Sequence, residues 1–458
     1  MTFFVTSTYE LNRVVAPRLP AAPVQYEQRY QDQFADILRL YFNRLDNILG
    51  QLMATMETIP VSIGGTNVDA FGRLRVSQPY TLFDSQQQYG ADTQFDTSTS
   101  GTGTTTYNAD QASLYMTVGS GGAGSVVRQT YRCFPYQPGK GLLVLATFCM
   151  DGSSNVGLTQ RVGYFDTKNG VYFQRVDGTY SFTLRSYVTG TVDNSRNVTQ
   201  ANWNGDKLDG TGPSGFTLDP SKSQILWMDF EWLGVGSVRC GFIIDGQYIV
   251  CHTFNNANEI TTTYMTRATL PVRYEITSTT GIAATMKQIC SSVVSEGGYE
   301  QYSVGNVARR TTKLSNIQLT FKPVVSIRLA STSPNAVIVP ARIQVIAITS
   351  QNYEIALFKN PTLTGASWGA VPTDANVEQD TSATAMTGGT IIQTDYLNAT
   401  GSGGSQPLVD PAGYNWAFQP GVSLAGVSDI ITVGIRTIDS ATPAGDCYGS
   451  LSFWDLTA

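Results

Sequence analysis

The chain changes its hydrophobic period once, near residue 60. Before that point the segment YQDQFADILRLYFNRLDNILGQL places Phe34, Leu38, Tyr41, Leu45, Ile48 and Leu52 at spacings of 4-3-4-3-4. That alternation is a heptad seam over nearly three heptads, and it predicts an amphipathic helix over 25–57. Ile37, Phe42 and Leu49 widen the apolar stripe beyond what a two-stranded seam needs. Pro60 stops any continuation. Residues 1–24 carry Pro17, Pro20 and Pro23 without periodicity and read as an extended arm. The apolar stripe must be covered, and the chain's own β-structure is one candidate. The place of the helix beside an unstructured arm and the width of its stripe point instead to self-association, most simply a trimer, or to insertion into another protein's groove.

After residue 60 the period is two, which predicts antiparallel β-structure. In VYFQRVDGTYSFTL the dipeptide Asp177-Gly178 is a two-residue hairpin turn. It sets Phe173 opposite Phe182 and Val171 opposite Leu184. Upstream, a three-residue loop Lys168-Asn169-Gly170 would put Phe165 opposite Phe173 and complete an aromatic stripe Phe165–Phe173–Phe182. In CGFIIDGQYIVC the Asp245-Gly246 turn places Cys240 opposite Cys251, with Cα atoms roughly 5.5 Å apart, and Arg239 opposite His252. That distance admits a disulfide, although two free thiols are expected in a chain assembled in a reducing cytoplasm. Thr97–Thr106 and Gly119–Ser125 read as exposed loops. A second set of strands begins near Pro323. The expected organisation is all-β: two antiparallel β-sandwich domains, jelly-roll or concanavalin-like, over 60–322 and 323–458, preceded by the arm and the helix.

Composition supports this reading. Of 458 residues 14% are charged, against about a quarter in an average globular chain, and 44 are glycine. Net charge is −6 and basic residues do not cluster, so nucleic-acid binding through phosphates is not expected. The first residues lack the charged and apolar regions of a signal peptide. The longest apolar run, Leu142 to Met150, is too short to span a bilayer, so membrane insertion is not expected.

Candidate chemistry is sparse. His252 is the one histidine, so any Ser-His or Cys-His relay depends on it. Asp229 and Glu231, two apart in QILWMDFEWL, project from one face of a strand flanked by Trp227 and Trp232. The pair is similar to the acidic strand motif of some concanavalin-like glycosidases, though any strand with alternating acids produces it. Asn202, Asn204, Asp206 and Asp209 alternate like calcium ligands, but Lys207 stands where such a loop needs glycine. No catalytic residue, metal or cofactor is expected. What remains is surface recognition, in which Trp203, Trp232, Trp368 and Trp416 are the candidates to stack on sugars.

Three stretches together carry a family resemblance: QYEQRYQDQFADILRLYFNRLDN, DAFGRLRVSQPYTLFD and YEIALFKNPTLTGASW. They resemble a group of tailed-bacteriophage virion structural proteins of the tail-fibre or appendage type. WLGVGSVRCGFIIDGQYIVCHTFNNAN is similar in pattern to concanavalin-like sandwiches. The first resemblance implies a virion protein assembled in the host cytoplasm and docked on tail, neck or capsid proteins by its helix. It would display β-sandwiches toward a host surface polysaccharide. Two alternatives stand beside it: a purely architectural collar, neck, baseplate or decoration protein, and a polysaccharide-degrading enzyme using Asp229 and Glu231.

Overall fold

The computed structural model describes residues 19, 25, 27–58, 78–153, 155–300, 304–399, 404–408 and 418–457, with side chains left out over 50–58 and 404–408. The chain divides into two compact units, 1–76 and 77–458.

Among the described residues the first unit contains one helix, Gln28–Thr58, which starts where the Glu27 carbonyl accepts the N–H groups of Tyr30 and Gln31. The predicted helix is there, displaced by a few residues at its start. None of its side chains from Gln28 to Leu49 is buried. Phe34, Leu38, Tyr41, Leu45 and Ile48 are half-exposed, and Leu40, Phe42 and Leu49 are more than half exposed. The Leu52 side chain and nearly all of the expected arm lie outside the described residues.

The second unit is the β body, and all of its strand pairs are antiparallel, as the period of two requires. Its first set of strands forms a sandwich. An eight-stranded sheet runs 247–254, 238–244, 224–230, 142–149, 284–295, 113–118, 103–108, with Tyr80–Gln86 also paired to 284–295. A seven-stranded sheet runs 193–199, 179–186, 170–176, 158–165, 272–278, 124–130, 95–101. One apolar core lies between them. Phe173 from the seven-stranded sheet stands at its middle, with ring centroids 5.4 Å from Phe182, 6.0 Å from Phe148 and 5.1 Å from Phe242.

The second set contributes a five-stranded and a six-stranded sheet around a separate core of Ile327, Val345, Ile355, Val433 and Phe453. Val304–Arg309 and Leu314–Ile317 hydrogen-bond to Gly445–Asp455 of this second set. The change of set therefore falls before residue 304, not near 322. Leu314–Ile317 joins the second set through a partner strand some 130 residues downstream, which no local pattern reveals.

Several register expectations hold. Phe173 faces Phe182, Val171 faces Leu184, and Asp177 and Gly178 take φ of 51° and 86° at the turn. Others are corrected. Phe165 pairs with Gly170, so the residue opposite Phe173 is Val162. The cause is the Asp166 carboxylate. It accepts the N–H groups of Lys168 at 2.6 Å and Asn169 at 2.7 Å, which lengthens the loop to four residues. Phe165 therefore packs on Tyr172 on the other face, at 4.5 Å.

Likewise a bulge between Cys240 and Gly241 sets Cys240 opposite His252 and Arg239 opposite Thr253. The six cysteines are free. Thr97–Thr106 is not a loop: Phe95–Gly101 and Gly103–Asn108 are strands at the ends of the two sheets. β-branched threonines suit an edge that buries little.

The outer face of the seven-stranded sheet is held by charge. Glu275, 8% exposed, accepts Arg273 Nε at 2.6 Å and Arg161 Nη1 at 3.1 Å. Burial pushes its carboxyl up, but the two guanidinium groups outweigh this and hold it below the usual range. Because the folded value lies below the unfolded one of about 4.3, this stabilisation is fully present above that pH. It is lost as pH falls through the folded value. Glu275→Gln should cost about 3 kcal/mol in urea unfolding at pH 7 and flatten the acid limb of the stability curve. An unchanged unfolding midpoint would contradict this role.

Candidate functional site

At one end of the β body the loops of the two strand sets face each other across a cleft of about 660 Å³. One wall comes from the first set: Tyr136 and Lys140 ahead of Leu142–Cys149, Trp232 after Gln224–Phe230, and 266–269 ahead of Val272–Ser278. The other comes from the second set: Thr332, Ser333, Asn335, Asn376 and Thr457.

Trp232 is placed by its own turn. Leu233 and Gly234 both take positive φ, 36° and 80°. Glu231 N–H donates to the Ser237 carbonyl at 3.1 Å, and Gly236 N–H donates to the Trp232 carbonyl at 2.7 Å. A Cβ at Gly236 would come within 2.0 Å of the Glu231 carbonyl oxygen, so only glycine closes this loop. The Tyr136 hydroxyl then accepts the backbone N–H groups of Trp232 at 3.1 Å and Leu233 at 3.3 Å, and its ring meets the indole edge-on at 6.0 Å and 82°. Burial holds the Tyr136 hydroxyl above the usual phenol range, against the pull of those N–H groups. The Trp232 indole N–H is shielded and has no partner among the described residues.

The cleft's charges are mostly engaged. Lys140 Nζ donates to the Gln137 side chain at 2.9 Å and the Gly298 carbonyl at 3.4 Å. Arg267 pairs with Asp166 at 3.0 Å. Asp166 also accepts Asn335 Nδ2 at 3.3 Å, which ties the two strand sets together behind the cleft. On the far wall the Asn376 amide and Thr457 are both anchored on buried Asp455.

Beside the cleft, sharing Lys140, is a second recess of about 460 Å³ lined by Asp229, Glu231, Glu296 and Arg239. Asp229 and Glu231 do come to one recess, as the strand alternation implies. Glu296, 65 residues from Glu231, joins them and was not legible from the sequence. A Cβ at Gly141 would meet Glu296 Oε2 at 3.1 Å and Asp229 Oδ1 at 3.5 Å, so both carboxylates crowd over that glycine. Burial first, and the neighbouring Asp229 second, push the Glu296 carboxyl up. Asp229 is engaged by two nitrogens of Arg239, Nε at 2.9 Å and Nη2. A contact of that form fixes the carboxylate in one orientation.

The remaining sequence candidates take structural places. Trp203 is not at the surface: it is 2% exposed, packs at a tilt on Phe182 with ring centroids 4.9 Å apart and donates to the Val198 carbonyl. The Trp368 ring is covered by the Arg328 guanidinium at 4.3 Å. Trp416 lies outside the described residues. Trp227, 3% exposed, lies over Gly241 and donates to the Ile249 carbonyl.

His252 accepts the Asn204 N–H on Nδ1 at 3.3 Å, and burial, then Arg196, push it down to about 4. It is neutral at pH 7, and the cation beside it is Arg196, not Arg239. Asp206 spends its oxygens on the N–H groups of Leu208 and Ser214, and Asn204 spends its amide on Thr253. No cluster of three metal-ligating side chains occurs among the described residues. No described helix is long and apolar enough to cross a membrane.

No family model matches the chain, and no curated protein does. Several solved structures match about half of it. A carbohydrate esterase from Shiga toxin-encoding bacteriophage phi24B is 12% identical, over 48% of this chain and 100% of its own, with a TM-score of 0.29. The carbohydrate recognition domain of Emp46p is 10% identical, over 48% and 97%, with a TM-score of 0.30. The CBM2 module of the evolved Dit of Lactobacillus casei BL23 phage J-1 is 6% identical, over 50% and 100%, with a TM-score of 0.31. At such scores the likeness carries no argument about this chain's ligand.

Tyr136→Phe should free the two N–H groups that hold the Trp232 turn. Amide exchange at Trp232 and Leu233, followed by NMR, should speed up about tenfold, corresponding to about 1.4 kcal/mol. Unchanged exchange would mean that the turn holds itself.

Proposed function

We propose that this chain is a structural protein of a virion, an appendage component whose β body contacts host-surface glycan and whose helix joins it to further copies. The observation that carries the glycan contact is the cleft: an indole and a phenol at one wall, with hydroxyls and amides around them. Sugar rings present apolar C–H faces and a rim of hydroxyls. An aromatic face with convergent amides and hydroxyls complements both. Glycoside hydrolysis needs one carboxyl to give up a proton while its partner attacks or activates water. The neighbouring recess holds a candidate donor in Glu296, whose carboxyl burial pushes up, and ties Asp229 to Arg239, so a polysaccharide-degrading role is a further alternative to binding alone.

The helix supports the second half of the proposal. Its seam is half-exposed along the whole described length, and Phe42 and Leu49 beside it are 57% and 51% exposed. Covering such a stripe on more than one side suits a parallel three-helix assembly of like chains. An architectural role without host contact remains the second reading. It is favoured by the same seam, which would serve equally well to plug the chain into a collar or baseplate.

Three outcomes are expected. Purified particles of the encoding phage contain the chain by mass spectrometry. On immobilised host-surface polysaccharide, Trp232→Ala binds at least about tenfold more weakly than the wild type at equal fold stability. Retained affinity in that variant would leave the architectural role. Light scattering of the full chain gives a trimer mass that falls to monomer on Leu38→Lys with Leu45→Lys. A monomeric wild type would assign the seam to a different protein.

A further inference from the structure

We propose that the ligand of the cleft is an uncharged oligosaccharide of several rings that touches both strand sets at once. This rests on the reading of the cleft as a glycan site. Charge balance in and beside the cleft decides this. Among the described residues the charged groups on the cleft's surface are Lys140, Arg267 and Glu300. Arg267 is matched by Asp166 at 3.0 Å, so the two cations stand against two carboxylates.

A sugar carboxylate, sulfate or phosphate drawn to Lys140 would also meet Glu231, Glu296 and Asp229, which share that lysine's recess. A sugar amine drawn to those acids would meet Lys140 and Arg239. Either charge would lose its hydration without a matched partner, which is costly. An uncharged ring has no such conflict. It finds hydroxyl and amide partners at Thr332, Ser333 and Asn376 opposite Trp232.

Size points the same way. A cleft of about 660 Å³ lies in the middle of the range that encloses drug-sized ligands. That is room for more than one ring, and its walls come from different strand sets, so one short chain bridges them.

Titration calorimetry of the full chain with size-matched hexasaccharides tests this. The neutral probes are maltohexaose, cellohexaose and mannohexaose; the acidic ones are hexagalacturonate and a sialic-acid hexamer. Each is measured at about 20 mM and about 300 mM salt, either side of a Debye length of roughly 10 Å. The inference expects a neutral probe to bind best, less than about twofold weaker at high salt. It also expects acidic probes to bind at least about tenfold more weakly. If an acidic probe binds best and weakens with salt, the inference is overturned while the glycan reading stands. If none of the probes binds, both fall together.

Discussion

Phe173 is the contact on which the β body depends. It belongs to the seven-stranded sheet, yet it reaches Phe148 and Phe242 of the eight-stranded sheet as well as Phe182 beside it. Losing a ring of that kind from a filled core generally costs about 3–5 kcal/mol, which is a large part of a domain's net stability. The ring also decides geometry. With Phe173 in the core, the hairpin through Asp177-Gly178 has one allowed register, since a slip of one residue would turn every side chain over. The facing sheet is fixed by the same contact, and with it the strand Gln224–Phe230, whose end carries the turn of Trp232.

What the sequence disclosed follows from this dependence. Where a residue's place is set by its nearest neighbours, the reading succeeds. The period of two, the primed turn at Asp177-Gly178 and the heptad helix are all local. It fails where a single hydrogen bond or one extra residue decides. The Asp166 carboxylate lengthens a loop and sends Phe165 to the outer face. One bulged residue parts Cys240 from Cys251 and moves Arg239 away from His252. Strand alternation cannot count such insertions.

The site was legible only in part for a related reason. Asp229 and Glu231 share a strand, so alternation brings them together, and Trp232 follows directly. Tyr136, Asn335 and Asn376 reach the cleft, and Glu296 the recess beside it, from four other segments, through pairings as distant as 304–309 with 445–455. Trp203 shows the opposite limit. Its polar neighbours in NWNGD suggest a surface, yet Asn204 and Asp206 spend their groups on backbone and Asn202 on the Thr199 hydroxyl, while the indole goes inside. Composition reports that a tryptophan stands among polar residues. It does not report which way the ring turns.

The central claim is that one ligand occupies the cleft and touches both strand sets. Hydrogen–deuterium exchange of the full chain with and without a bound oligosaccharide tests it most directly. The account predicts slower exchange in two separate segments, 231–237 of the first set and 332–336 of the second, with Phe173 and its sheet unchanged. Protection confined to one set, or lying elsewhere on the body, would contradict it.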